Sequence, residues 1–187
     1  PSKQMNRVII HAREPKNALK QMQIEVGQEK TEEIYERNLF QLLSQCTAFS
    51  TIIVTPDSPE YFQEHFPDIE VRQVIEKTFG DQLKTAIAVE LDTFGKVILL
   101  ADNSPLIDIP TVEHAFILLD IHDMVIGPSN NGKHYLVGFT ELKQLDLIPS
   151  KDNELEVYAQ LTGEELEPHQ SLMDANDYNF FTQSDLI

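Results

Sequence analysis

The chain is poor in several residue types, and each shortage excludes something. It holds one cysteine, Cys46, and no tryptophan in 187 residues. A single thiol rules out an internal disulfide and fits a reducing compartment, so the cytoplasm is the expected location. Cys46 falls on the apolar side of a predicted helix, which makes it a core residue rather than a nucleophile. No run of about eighteen apolar residues occurs, so no membrane-spanning helix is expected. The opening Pro1-Ser2-Lys3-Gln4-Met5-Asn6 lacks the apolar core of a signal peptide. Basic residues are scarce as well: 14 Lys and Arg stand against 31 Asp and Glu, a net charge of −17. Nucleic-acid backbones and anionic membranes repel such a chain, and neither is an expected partner.

What remains is ordinary for a globular protein, with 41% hydrophobic and 24% charged residues. The charge is uneven. Residues 141–187 carry eleven acids and two bases, a net of −9, whereas residues 1–24 carry five bases and one acid. The basic start (Lys3, Arg7, Arg13, Lys16, Lys20) suggests a local anion site, or simply solvated side chains. The length suits a folded core over residues 1–150, with residues 151–187 as an acidic helix and tail packing on the same domain.

The stretch that organises the chain is Lys96-Val97-Ile98-Leu99-Leu100-Ala101-Asp102-Asn103-Ser104-Pro105. Its unbroken apolar run predicts a strand covered on both faces, ending in a polar, turn-forming tip. Ligands of open α/β sheets sit just beyond the carboxyl ends of strands, which makes Asp102 a candidate metal or phosphate-metal ligand. Further strands are expected at Arg7–His11, Phe49–Val54, Ile69–Gln73, Met124–Pro128 and His134–Phe139. Helices are expected at Glu29–Gln45, Ser58–His65, Gly80–Leu91 and from Pro110 to Asp120. Ala12 to Val26 reads as a long loop, because Pro15 and Asn17 interrupt a weak periodicity. Strands alternating with helices predict a three-layer α/β/α domain with a mostly parallel central sheet.

Four segments, in order, resemble a family of bacterial transferases that is largely uncharacterised. These are glycosyltransferase-A-like, nucleotide-diphospho-sugar transferase proteins related to nucleotidyltransferases that act on molybdopterin and similar cofactors. The family's F-A-K-x-P-x-x-G-x-x-K-T-R-L corresponds to Ile10-His11-Ala12-Arg13-Glu14-Pro15 and then Lys16 to Ile24. Its G-D-L-G-x-R stands here as Gly80-Asp81-Gln82-Leu83-Lys84-Thr85, and its G-S-D-x-P as Ala101-Asp102-Asn103-Ser104-Pro105. The most specific match is G-P-A-x-D-G-G-Y-Y-L-I-G, here Gly127-Pro128-Ser129-Asn130-Asn131-Gly132-Lys133-His134-Tyr135-Leu136-Val137-Gly138. A fainter echo of D-x-D-T-P-E-D-L lies in Asn179 to Leu186.

The resemblance implies a nucleotide or nucleotide sugar as ligand, held by Arg13, Lys16, Lys20, Asn131, Gly132, Lys133 and His134. It also implies Mg²⁺ or Mn²⁺ on Asp102 and Asn103. The departures fall on charged positions. The strand-end aspartate falls on Asn103 and the D-G-G aspartate on Asn131. The K-T-R-L positions read Gln21-Met22-Gln23-Ile24, and the G-D-L-G-x-R arginine reads Thr85. Asparagine supplies a carbonyl but no negative charge to a hard cation, and lost cations leave a diphosphate less neutralised. Two readings follow: a divergent nucleotide-dependent transferase with a weakened site, or a non-catalytic ligand- or protein-binding domain on the same scaffold.

Overall fold

Alternation along the first strand shows how the core is divided. In β1 (Gln4–His11), Val8 and Ile10 pack into one apolar cluster and Ile9 into another, on opposite faces of the sheet. The same alternation runs through β4 (Phe94–Ala101), where Ile98 and Leu100 face one cluster and Val97 and Leu99 the other. This computed structural model describes residues 4–171. The echo at Asn179 to Leu186 lies outside them.

The remaining strands are β2 (Thr51–Thr55), β3 (Glu70–Gln73), β5 (Val125–Pro128), β6 (His134–Phe139) and β7 (Glu164–Glu165). Together they form one seven-stranded sheet in the order β3-β2-β1-β4-β6-β5-β7. β1 pairs in parallel with β2 and β4, and β2 with β3. β6 runs antiparallel to both β4 and β5, so β5 points the same way as β4. The expected mostly parallel sheet is therefore present, with β6 as its reversed strand.

Helices cover both faces. On one side lie α2 (Gln28–Cys46), α3 (Glu60–His65) and α5 (Ile109–Leu118), contributing Leu39, Leu42, Phe62 and Phe116 to the first cluster. On the other lie α4 (Phe79–Leu91), a 3-10 turn (Leu142–Leu147) and α6 (Glu154–Tyr158). They supply Leu83, Ile87, Leu145 and Val157 to the second. Each fully buried aliphatic side chain contributes about 1.5–3 kcal/mol, so this is where the stability resides.

One expectation needs correction. The stretch read as a long loop from Ala12 to Val26 contains a 3-10 turn (Pro15–Asn17) and then α1 (Lys20–Val26). Proline and asparagine break the chain before the helix rather than within it. The periodicity is weak because one residue, Met22, is buried, against Ile34 with Leu19, Val26 and Leu106 around it, while Ile24 is 79% exposed. Gly27, at φ +94°, ends α1 in a conformation that suits glycine.

Candidate functional site

The parallel register fixes where the chemistry gathers. His11 of β1 lies beside Ala101 of β4, so the segments after both strands leave the sheet side by side. β6 enters at the same edge, because Leu136 pairs with Leu100. α4 starts there too. A cavity of about 340 Å³ opens at this edge.

Five of the residues expected to bind ligand or metal line it: Arg13, Lys20, Asp102, Asn103 and Lys133. Four stand beside it. Lys16 reaches outward to Glu14 at 3.5 Å with its side chain 63% exposed. Asn131 closes a local turn, its Oδ1 accepting from the Lys133 N–H at 3.0 Å, and Gly132 completes that turn at φ +80°. His134 donates from Nδ1 to the Lys133 carbonyl and lies against the Tyr158 ring, 5.3 Å between centroids. Gln21 and Gln23, at positions where the resemblance expects cations, bond within their own helix and loop, to Glu25 and Ala18.

Asp102 is the centre of the site. Its Oδ2 accepts a 2.5 Å hydrogen bond from the Tyr35 hydroxyl, which in turn accepts from the Arg13 backbone N–H at 2.9 Å. Burial pushes the Asp102 carboxyl up to about 6; the Tyr35 hydrogen bond opposes this, and the negative charge of Glu154 adds to it. Burial and the adjoining Asp102 charge hold the Tyr35 phenol far above its ordinary value, so it remains a donor at physiological pH.

The cations in the wall are already engaged. Arg13 makes a two-pronged pair with Asp57, Nε to Oδ2 at 2.9 Å and Nη2 to Oδ1 at 3.2 Å, and Asp57 also accepts from the Glu14 N–H. Although burial works to raise it, these bonds hold the Asp57 carboxyl below its usual range. Lys133 Nζ faces Glu154 at 3.4 Å, and Lys20 donates to the Lys16 carbonyl. Arg7, one of the basic N-terminal residues, belongs elsewhere: it is buried against Glu90 and Glu70 and donates to Ser50.

An apolar wall completes the cavity. His11 meets Phe79 edge-on at 5.1 Å, and Phe79 meets Tyr158 at 6.2 Å. His11 Nε2 donates to the Gln82 carbonyl oxygen, whose own amide nitrogen donates to the Glu76 carbonyl. Burial lowers the pKa of His11, so the ring is neutral at pH 7.

Sequence reasoning missed Tyr35, Asp57 and Glu154. Tyr35 lies on the buried stripe of α2 with Ile34, Asn38 and Leu39 and reads as core. Asp57 follows the end of β2 in Thr55-Pro56-Asp57, and the strand-end rule that selected Asp102 would have found it. Glu154 is hidden in an acidic stretch with no motif around it. Among the described residues no group of three or more His, Cys, Asp or Glu could hold a metal by itself. The cavity does offer a hard, oxygen-only donor set: the carboxylates of Asp102 and Glu154 and the side-chain amide of Asn103. Such a set suits a divalent cation whose other positions are filled by phosphate and water.

Residues 39–150, more than half of the chain, match the family described as "Uncharacterized protein conserved in bacteria (DUF2064)". The chain belongs to the DUF2064 family. No curated protein matches this DUF2064 chain in sequence. Its structure is similar to one described as a nucleotide-diphospho-sugar transferase from Desulfovibrio desulfuricans G20. The TM-score is 0.83 at 19% identity, covering 97% of this chain and 89% of that one. It is also similar to the manganese complex of Rv0371C from Mycobacterium tuberculosis H37Rv, with TM-score 0.61, 14% identity, and 98% and 100% of the two chains covered. A third similar structure is 4-diphosphocytidyl-2C-methyl-D-erythritol synthase from Anaerococcus prevotii DSM 20548, with TM-score 0.62, 11% identity, and 95% and 94% covered. At these identities the likeness establishes the fold, that of the nucleotide-diphospho-sugar transferases, as the sequence resemblance implied.

Proposed function

We propose that this DUF2064 protein binds a nucleotide or nucleotide sugar through its phosphates, as a divergent relative of the nucleotide-sugar and nucleotidyl transferases. The observation that carries this is one cavity, at the carboxyl ends of β1 and β4, that gathers Asp102 with Arg13, Lys20 and Lys133. A carboxylate alone repels a diphosphate, and cations alone do not hold a metal. Together they suit a phosphate group that arrives with Mg²⁺ or Mn²⁺.

In this reading Asp102 and Asn103 hold the cation, with Glu154 as a further oxygen donor. When bound, the metal would supply Lewis acidity to the leaving phosphate. Lys20 and Lys133 meet phosphate oxygens at the rim, and Phe79 and Tyr158 offer an apolar wall to the organic part of the ligand. His11, neutral and tied to Gln82, contributes a ring face there. The lone cysteine is buried, its thiol pushed up to about 12, so it takes no part in the proposed chemistry.

A second reading, binding without turnover, is favoured by a specific observation. Arg13 is neutralised by Asp57 and Lys133 by Glu154, so the groups that would stabilise a departing diphosphate are compensated in advance.

A thermal-shift series with nucleoside diphosphates, triphosphates and nucleotide sugars, each with and without Mn²⁺, tests both. A ligand at a hundred times its Kd stabilises by about 2.7 kcal/mol. The expected result is a shift that needs phosphate and is enlarged by Mn²⁺. The absence of any shift across the series would sink the nucleotide reading. Release of free phosphate, diphosphate or nucleotide from a stabilising ligand separates transferase from binding domain.

A further inference from the structure

We propose that Tyr35 is a positioning residue for Asp102, fixing the carboxylate that takes the cation; this rests on the nucleotide-metal reading of the cavity. Tyr35 sits midway along α2, and its ring belongs to the main apolar cluster, 1% exposed. Packing alone would be served by phenylalanine. The hydroxyl does something else: it accepts from the Arg13 N–H at 2.9 Å and donates to Asp102 Oδ2 at 2.5 Å. Both partners belong to the cavity wall, one in the segment after β1 and the other after β4.

The consequence is a direction imposed on the carboxylate. A hydroxyl has one proton, and the N–H of Arg13 fixes which lone pair is occupied, so the proton is directed at Asp102. The donor lies on a nineteen-residue helix buried along one face, whereas Asp102 lies in a turn. The helix therefore sets the orientation of the carboxylate in the turn. Groups that orient a metal ligand in this way commonly matter by about 10–100-fold in metal affinity.

The experiment measures Mn²⁺ binding in the presence of UDP, by the loss of the free Mn²⁺ electron-spin-resonance signal, on four proteins. Asp102→Asn should bind at least tenfold more weakly than the wild type. Tyr35→Phe should weaken binding by about tenfold, with its melting temperature within a few degrees of the wild type. The double variant should bind no worse than Asp102→Asn alone, since Tyr35 acts through Asp102. 4-Aminophenylalanine in place of Tyr35 keeps a donor at the same point and should restore most of the affinity. That rescue also keeps the idea testable if Tyr35→Phe folds poorly.

Wild-type binding by Tyr35→Phe, beside a defective Asp102→Asn, overturns the role of Tyr35 and leaves the site reading standing. Equal loss from Tyr35→Phe in both backgrounds overturns it too, because the residue would then act independently of Asp102. Undiminished binding by Asp102→Asn, or no binding by the wild type, removes the cavity reading and this inference with it.

Discussion

Half-burying a carboxylate near another one makes it costly to ionise, and Asp102 bears that cost. Its carboxyl is raised to about 6, chiefly by burial, with Glu154 adding to the shift. An unfolded aspartate titrates near pH 3.9, so between about pH 4 and pH 6 the folded chain holds a proton that the unfolded chain has lost. Stability therefore falls as pH rises through that window, and the loss is complete above it. At roughly 1.4 kcal/mol per unit, the deficit at pH 7–8 is on the order of 2–3 kcal/mol. Asp102→Asn should remove it. The variant is expected to melt higher than the wild type at pH 7.5 and to show no such gain at pH 4, by calorimetry at both pH values. An Asn variant that is no more stable at pH 7.5 would mean that its loss of the charged hydrogen bond from Tyr35 outweighs the burial cost. A residue kept in a site where it costs stability is a mark of function rather than of folding.

Among the elements, α4 carries the apolar wall of the cavity, and a glycine sets its position. A Cβ at Gly80 would come within 1.9 Å of the Pro149 carbonyl oxygen, which is backbone and can move only with its whole segment. This closeness lets the Gly80 N–H reach the Lys151 carbonyl at 2.9 Å and the Phe79 N–H reach Asp152 at 3.0 Å. Gly80→Ala should push the 149–152 segment away, breaking both bonds and displacing Phe79 together with the following α6. The expected cost is about 2 kcal/mol, a fall of roughly 4–8 °C in melting temperature, with weaker nucleotide binding. A variant that melts and binds like the wild type would show that the segment yields freely. Glu154, the first residue of α6, gives a second test. Glu154→Gln frees Lys133 and removes a donor, so UDP alone should bind more tightly while the enhancement by Mn²⁺ shrinks; titration calorimetry with and without Mn²⁺ reads both.

What was legible at this scale follows a physical rule. The strands and α2 announced themselves through apolar runs and helical spacing, because burial acts on many residues at once. Asp102 was legible because it ends such a run. α1 was not, since one buried residue, Met22, leaves almost no period. Nor were the links Tyr35–Asp102, Arg13–Asp57 and Lys133–Glu154, which join residues 67, 44 and 21 positions apart and leave no trace in local pattern.

At the scale of the whole molecule, an acidic body surrounds a cavity whose wall carries three cations beside Asp102 and Glu154, and salt acts on the body and the cavity over different distances. The net charge is −17, whereas Arg13, Lys20 and Lys133 line the cavity. At about 0.01 M salt the screening length is about 30 Å, so an incoming nucleotide feels the acidic surface as a whole and is repelled. At about 0.1 M it shrinks to about 10 Å; the far acids are screened while the rim lysines, a few ångströms from a bound phosphate, are not. At about 1 M it is about 3 Å, and those short contacts weaken too. Binding of UDP without metal should therefore pass through a maximum near 0.1 M NaCl rather than fall steadily as it does for a basic phosphate-binding protein. Titration calorimetry at the three salt concentrations checks this. A steady fall from 0.01 M upward would mean that the local cations govern approach at every distance. A steady rise to 1 M would mean that Lys20 and Lys133 do not touch the phosphates at all.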